Sequence, residues 1–327
     1  MNAFRDRLLW HESGLTRHAA TTDGLFARGR DGISAILSDR ARSAEYILYE
    51  DGRMMCHVPS STGPGAYYPV PEIRLERPVR AVLMDLDGTT VHSEPFWVWI
   101  IEQSVRSLTG DAGFAFTDAD LPHVSGHSVS EHLMYCIHTY CPTARLEDAR
   151  ALYFEHTRRE MALIAEGKGR GDAFVPTPGI GEFLHALKAR DIKIALVTSG
   201  LYEKAAPEIR AAFHTLGLDA PEAFYDCIIS AGSPLGQGDW GTLGELTPKP
   251  HPWLYAEAAR VGLGIPYADR ASVVGIEDSA VGIHAIRLAG YTALGVRGGN
   301  IEQSGATPFA DAMFPSFGDL SRYLFDQ

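Results

Sequence analysis

Only four cysteines, Cys56, Cys136, Cys141 and Cys227, occur in 327 residues. None belongs to a C-x-x-C pair, so neither a disulfide framework nor a zinc site is indicated. Long apolar runs are missing too: Phe96 to Ile101 falls far short of the roughly 20 residues a membrane span needs. The opening MNAFRDRLLWHESG has no apolar core of the kind a secretory signal carries and no clear cleavage site. The cytoplasm is the default location, and no membrane partner is expected. Runs of Lys and Arg are absent as well. With 29 basic against 41 acidic residues the formal charge is −12, whereas a nucleic-acid binder would show a basic footprint. The acidity reads as solubility. What is present, 45% hydrophobic and 21% charged residues, is ordinary globular composition. A chain of this length suits one large domain or a few smaller ones.

Residues 1–78 read differently from the rest. A helix is expected from about Gly29 to Ala41. EYILYEDGRMMCHVP then reads as a hairpin turning at Asp51-Gly52. SSTGPGAYYPVPE, residues 60–72, is rich in Gly, Pro and Ser and reads as a linker or irregular loop. No catalytic motif stands out here. The segment is expected to pack on the main domain or to support a homodimer.

From Val79 onward strands and helices alternate. Apolar runs of strand length occupy 81–86, 192–197, 225–230, 271–276 and 291–296, and amphipathic stretches lie between the later ones. That pattern predicts an α/β fold, a doubly wound parallel sheet with helices on both faces. Ligands bind such sheets beyond the carboxyl ends of the strands. Roughly a hundred residues separate Thr90 from Ile192, more than one crossover helix requires. Three helical stretches fill the gap, the first with Ser93 as N-cap and Pro95 in its first turn. The division expected is a core of 79–90 and 173–327, a helical cap of 91–172, and the N-terminal extension. An insertion at that point would hang over the catalytic edge as a lid.

Four strand ends carry chemistry. AVLMDLDGTT ends on Asp85 and Asp87. A carboxylate at the mouth of a parallel sheet can attack phosphorus and form an aspartyl-phosphate. A second one two residues on, on the same side of extended chain, can serve as acid and then base. A surface turn at Asp87-Gly88 is the plainer alternative. KIALVTSG ends on Thr198, Ser199 and Gly200, where a hydroxyl and backbone N–H groups make an anion site or merely a helix N-cap. TPKPHP holds Lys249 between prolines, a fixed positive charge or a solvated loop lysine. VVGIEDSAVG ends on Glu277 and Asp278. Hard oxygen ligands of this kind suit Mg²⁺, although acids also decorate helix N-termini through the dipole.

Four such signals, each after a buried strand, are hard to assign to coincidence. Over about 79–322 the chain resembles the haloacid dehalogenase superfamily, most closely its β-phosphoglucomutase-like phosphatases. DLDGTTVHSEP is similar to that group's first motif, LVTSG to its second, TPKPHPWLYAEAARVGL to its third and VVGIEDSAVGIHAIRLAG to its fourth. The resemblance implies Asp85 as nucleophile, Asp87 as acid and base, Thr198 as phosphate ligand with Ser199 and Gly200 beside it, and Lys249 as charge partner. It implies Mg²⁺ held by Asp85, the Asp87 carbonyl and Asp278, with Glu277 in or near that shell.

Dehalogenases and phosphonatases of the superfamily lack an acid at the place of Asp87. Phosphatase and phosphomutase remain. The mutases carry a basic residue where Val129 stands and a histidine where Trp97 stands, which disfavours the mutase reading. A regulatory protein on a hydrolase fold is the non-enzymatic alternative, and intact Asp85, Asp87, Lys249 and Asp278 argue against it. Gly126, His127 and Ser128 fall where a specificity loop would lie and are expected to touch substrate. His123, His127, His132 and His138 raise the thought of a second metal, though scattered histidines are more often surface or substrate contacts. The partner expected is a small phosphorylated metabolite, not a nucleic acid.

Overall fold

Short runs of Val, Ile, Leu and Ala that are buried along their whole length can form strands only where both sheet faces are covered. Three of the six strands that build the central sheet, over 81–85, 273–277 and 292–296, follow that rule throughout, and a fourth, over 193–198, follows it after its first residue. The six are β6 (Ala81–Asp85), β9 (Lys193–Thr198), β10 (Cys227–Ser230), β11 (Val273–Glu277), β12 (Thr292–Val296) and β13 (Ala312–Phe314), with β10 and β13 only partly buried. All pairings are parallel, in the order β10-β9-β6-β11-β12-β13. From β6 the chain winds one way through β9 to β10, then crosses to β11 and winds the other way. The switch falls between β6 and β11, where open α/β sheets bind their ligands. The sixth strand, β13, is three residues long and lies outside the five runs read from the sequence.

This computed structural model describes residues 3–10, 14–60, 65–124, 129–166, 168–170, 172–200, 202–218, 220–231 and 248–325. The chain divides into two compact units, one of Met1–Thr90, Thr177–Ala206 and Leu218–Gln327, the other of Val91–Pro176 and Pro207–Gly217. Among the described residues no helix is long and apolar enough to cross a membrane.

The first unit contains a second sheet. After α1 (Ala3–Trp10) come β1 (Thr16–Arg17), β2 (Ile33–Ser38), β3 (Glu45–Tyr49), β4 (Met54–Val58) and β5 (Ala66–Pro69), antiparallel throughout and in sequence order. The expected helix over 29–41 is therefore replaced by a strand. Ile33, Ile36 and Leu37 have helical spacing, but pairing with β3 offers both faces a cover, and β-branched residues fit that surface. The expected loop over 60–72 likewise contains β5, where Pro69 is tolerated because the strand is an edge. The hairpin at Asp51-Gly52 forms as read, with Gly52 at φ 92°.

On one face of this sheet Leu37, Tyr46, Leu48 and Cys56 join a single apolar cluster with Leu83, Val197 and Ala293 of the central sheet. Between the two sheets lie α9 (Trp253–Glu257), which runs on as a π-helical turn over Ala258–Gly262, and α10 (Ala280–Ala289). On the other face Ile33, Ile36, Ile47 and Tyr49 pack with Phe26, Met55 and Tyr67. Elsewhere in the unit, α6 (Ile180–Lys188) and α11 (Phe317–Phe325) meet through Phe183, whose ring centroid is 5.2 Å from that of Phe317. The short α8 (Pro221–Phe224) leads into β10, and α7 (Tyr202–Thr215) starts here.

The second unit is helical. β7 (Val91–His92) and β8 (Val175–Pro176) pair antiparallel and bring its two chain ends together. Inside it lie α2 (Glu94–Thr109), α3 (Leu121–Val124), α4 (Val129–Tyr140) and α5 (Leu146–Ala165). Phe96, Trp97, Ile100, Ile101 and Val105 form the buried stripe of α2. Asp120 locks the loop before α3, accepting from Tyr135 Oη at 2.6 Å, from Tyr140 Oη, and from the Thr117 amide at 2.8 Å and hydroxyl at 2.7 Å.

Candidate active site

The register of the central sheet decides which side chains meet. Asp85 pairs with Val197 on one side, Met84 with Ile276 on the other, and Ser230 with Thr198. The carboxyl ends of β6, β9 and β11 thus lie at one edge. Asp85, Thr198 and Glu277 are the last residues of those strands.

After Asp85 the chain turns tightly. The Thr90 amide donates to the Leu86 carbonyl at 2.9 Å, and the Thr90 hydroxyl donates to the Asp85 carbonyl at 2.5 Å. Gly88 sits in this turn at φ 85°, and a Cβ there would lie 2.1 Å from Asp278 Oδ2. Only glycine satisfies both the backbone angle and the approach. The Thr89 hydroxyl donates to Asp278 Oδ1 at 3.2 Å and so holds that carboxylate.

Lys249 reaches the centre of this group. Its Nζ donates to Asp85 Oδ1, and to Glu277 Oε1 at 2.6 Å, with side chains almost fully buried on all three residues. Glu277 is held on every side. Its Oε1 also accepts from the Tyr255 hydroxyl at 2.7 Å, and its Oε2 accepts from Ser279 Oγ at 2.8 Å and the Ser279 amide at 3.2 Å. A Cβ on Gly282 would lie 1.9 Å from the Glu277 carboxylate. Asp87 stands at the rim, where the Thr198 hydroxyl donates to its Oδ2 at 3.4 Å. Ser199 Oγ accepts from the Lys249 amide at 3.3 Å. The Gly200 amide donates to Thr198 Oγ1 at 2.9 Å, so it serves the turn itself.

The charges do not balance. Asp85 and Glu277 share one ammonium, and one carboxylate oxygen from each of Asp85, Glu277 and Asp278 lies within 4.8 Å of the others. Burial, and next the charge of Glu277, push the Asp85 carboxyl upward against the pull of Lys249. Burial alone would lower Lys249, but the charges of Asp85 and Glu277 outweigh it and raise its pKa. A dry pocket with all-oxygen donors and surplus negative charge fits a hard divalent cation such as Mg²⁺. Among the described residues no other group of three His, Cys, Asp or Glu side chains is close enough to hold a metal.

Among the described residues the histidines of the helical unit do not assemble a second site. His123 stacks on Tyr135 at 4.6 Å, and His132 is buried with its ring 5.6 Å from Tyr153. Trp97 belongs to its unit's core, with Phe96 at 4.9 Å and Phe174 at 6.0 Å. Gly126, His127 and Ser128 lie outside the described residues, as does Trp240 with the loop 232–247. Tyr255 was not singled out from the sequence. Tyr255 lies six residues past Lys249 on the first turn of α9, and helical spacing alone does not tell a core tyrosine from one that serves a carboxylate.

Residues 79–290 match the haloacid dehalogenase-like hydrolase family. The chain belongs to that family, with a six-stranded parallel α/β sheet, a helical insert and an additional N-terminal antiparallel sheet. Within the family it is a homologue of phosphatases: it is 27% identical over 251 residues to the plasmid-encoded phosphoglycolate phosphatase of Cupriavidus necator, covering 76% of this chain and 94% of that one. Among solved structures, CbbY from Rhodobacter sphaeroides in complex with phosphate has a TM-score of 0.55 at 22% identity, over 74% of this chain and 96% of that one. A hydrolase of the same family from Deinococcus radiodurans, with phosphate and sodium bound, has a TM-score of 0.54 at 24% identity, over 77% and 97%.

Proposed function

We propose that the protein is a Mg²⁺-dependent phosphatase of a small phosphorylated metabolite, working through an aspartyl-phosphate on Asp85. The observation that carries this reading is a buried carboxylate at the end of the central strand, paired with Lys249 and crowded by Glu277 and Asp278. Asp85 attacks phosphorus, and the bond from phosphorus to the leaving oxygen breaks. Asp87 gives that oxygen its proton, then takes one from the water that hydrolyses the aspartyl-phosphate. Lys249 offsets the negative charge of nucleophile and phosphoryl oxygens, and Thr198 and Ser199 offer hydroxyls beside it. Asp85, the Asp87 carbonyl and Asp278 would hold Mg²⁺, with Glu277 adjoining. When bound, the ion supplies positive charge against the phosphoryl group.

Substrate choice is the finer part of the reading. The Cupriavidus relative acts, by its name, on phosphoglycolate, so 2-phosphoglycolate is the first metabolite to offer. The test is phosphate release from p-nitrophenyl phosphate and from a panel of phosphorylated metabolites, with Mg²⁺ and with excess chelator. Mg²⁺-dependent release is expected, stopped by chelation. No release from any member of the panel would replace the reading by that of a non-catalytic regulatory protein.

A further inference from the structure

Glu277 has two oxygens and about four lone-pair sites. Four donors reach them: Lys249 Nζ and Tyr255 Oη on Oε1, Ser279 Oγ and the Ser279 amide on Oε2. The residue is fully buried, and Gly282 closes against its carboxylate without room even for a methyl group. A carboxylate filled and walled in this way cannot turn toward another cation without giving up a buried donor, which is costly. Tyr255 makes two contacts that bear on the same lysine. Its hydroxyl shares Oε1 with the ammonium, and its ring centroid lies 5.2 Å from Lys249 Nζ.

We propose that Tyr255 is a positioning residue for Lys249, acting through Glu277, and that its hydroxyl keeps Glu277 out of the inner coordination of the metal. The proposal rests on the phosphatase reading above. The ion is then held through Asp85 and Asp278, while Glu277 aims the lysine at Asp85. The phenol closes the last acceptor site on Oε1, and the ring carries the ammonium from the side. Tyr255 touches neither phosphate nor metal in this scheme. Its effect should fall on the rate of the step that Lys249 assists and not on substrate affinity.

The experiment uses the full chain and four variants. Mg²⁺ binding is measured by calorimetry without substrate, and turnover with p-nitrophenyl phosphate. Glu277→Gln, nearly the same shape, should leave the Mg²⁺ dissociation constant within about threefold of wild type, whereas Asp278→Asn should weaken it by at least about tenfold. Tyr255→Phe should lower kcat about tenfold, with KM and the Mg²⁺ dissociation constant nearly unchanged. Tyr255→Leu, which also removes the ring, should lower kcat further. Glu277→Gln weakening Mg²⁺ as much as Asp278→Asn would overturn the proposal, and so would wild-type kcat in Tyr255→Phe. Unchanged Mg²⁺ binding in Asp278→Asn would instead overturn the metal reading beneath it. Should Glu277→Gln fail to fold, Tyr255→Phe, which lacks one oxygen only, carries the test.

Discussion

Asp85 and Gly282 show how little freedom single positions have at the strand ends. Asp85 is the last residue of β6 and faces Lys249 in a site with almost no solvent. Asp85→Asn keeps the volume and one acceptor oxygen but removes the nucleophilic charge. Turnover should fall by several powers of ten, each about 1.4 kcal/mol of barrier, with the circular dichroism spectrum unchanged. More than a tenth of wild-type activity in the folded variant would remove Asp85 from its role. Gly282 is the complementary case. Gly→Ala in a helix ordinarily stabilises by roughly 0.5–1 kcal/mol, yet here the new methyl would occupy the Glu277 carboxylate. Gly282→Ala should therefore lose both stability and activity, the latter by at least about tenfold if Glu277 must hold Lys249 in place. A thermally stabilised, fully active Gly282→Ala would show that the carboxylate can move at no cost.

At the scale of elements, α1 is tied to the rest of its unit through Arg7. Arg7 donates to Asp311 Oδ1 at 3.0 Å and to the Pro308 carbonyl at 2.9 Å, and Arg287 of α10 approaches Asp311 Oδ2 at 2.5 Å. Burial works to raise the Asp311 carboxyl, but Arg287 first and Arg7 after it hold its pKa below the ordinary carboxylate range. A lowered folded-state pKa contributes stability above the unfolded value, about 4, that is lost as pH falls through the folded value. Asp311→Asn should cost about 2 kcal/mol at neutral pH, less than a fully buried pair because the aspartate and Arg7 are partly exposed. Its destabilisation relative to wild type should shrink on acidification below about pH 4. Urea melts at pH 7 and pH 3 check both signs, and equal differences at the two pH values would remove the ion pair from the account.

Over the whole molecule, residues 1–78 are a layer and not an attachment. Tyr46 of β3 bonds His284 Nδ1 at 3.0 Å, and His284 Nε2 lies 3.3 Å from Asp39 Oδ2. Tyr68 of β5 bonds His251 Nδ1 at 2.7 Å, two residues beyond Lys249. Around these ties lie the apolar residues of one continuous core. We propose that the layer braces both the Lys249 loop and α10. Deleting 1–78 would uncover apolar residues of α9 and α10 that now lie in the shared core, and exposed apolar patches invite association. The truncated chain should be insoluble or lose its near-ultraviolet circular dichroism while retaining helix. A soluble, cooperatively melting truncation with normal turnover would show the layer to be dispensable.

The sequence by itself determined the parallel α/β core, the helical insert and the acids at the strand ends. Buried strands are written as continuous apolar runs, and a carboxylate after such a run stands out against them. Asp85, Glu277 and Asp278 were legible for that reason, Thr198 as the hydroxyl ending another such run, and Lys249 by its flanking prolines. The antiparallel sheet was half legible: the Asp51-Gly52 turn announces its hairpin, whereas β2 has the spacing of a helix and β5 the composition of a loop. Those two became strands because neighbouring chain supplied pairing and cover, which no local pattern records. Only the tertiary structure decided that Glu277 takes four donors, that Tyr255 supplies one of them, and that Gly88 and Gly282 leave room for the acids they face. These contacts join residues 22 positions apart, from Tyr255 to Glu277, and 189 apart, from Thr89 to Asp278, and the longer one closes only when the sheet order puts β6 beside β11.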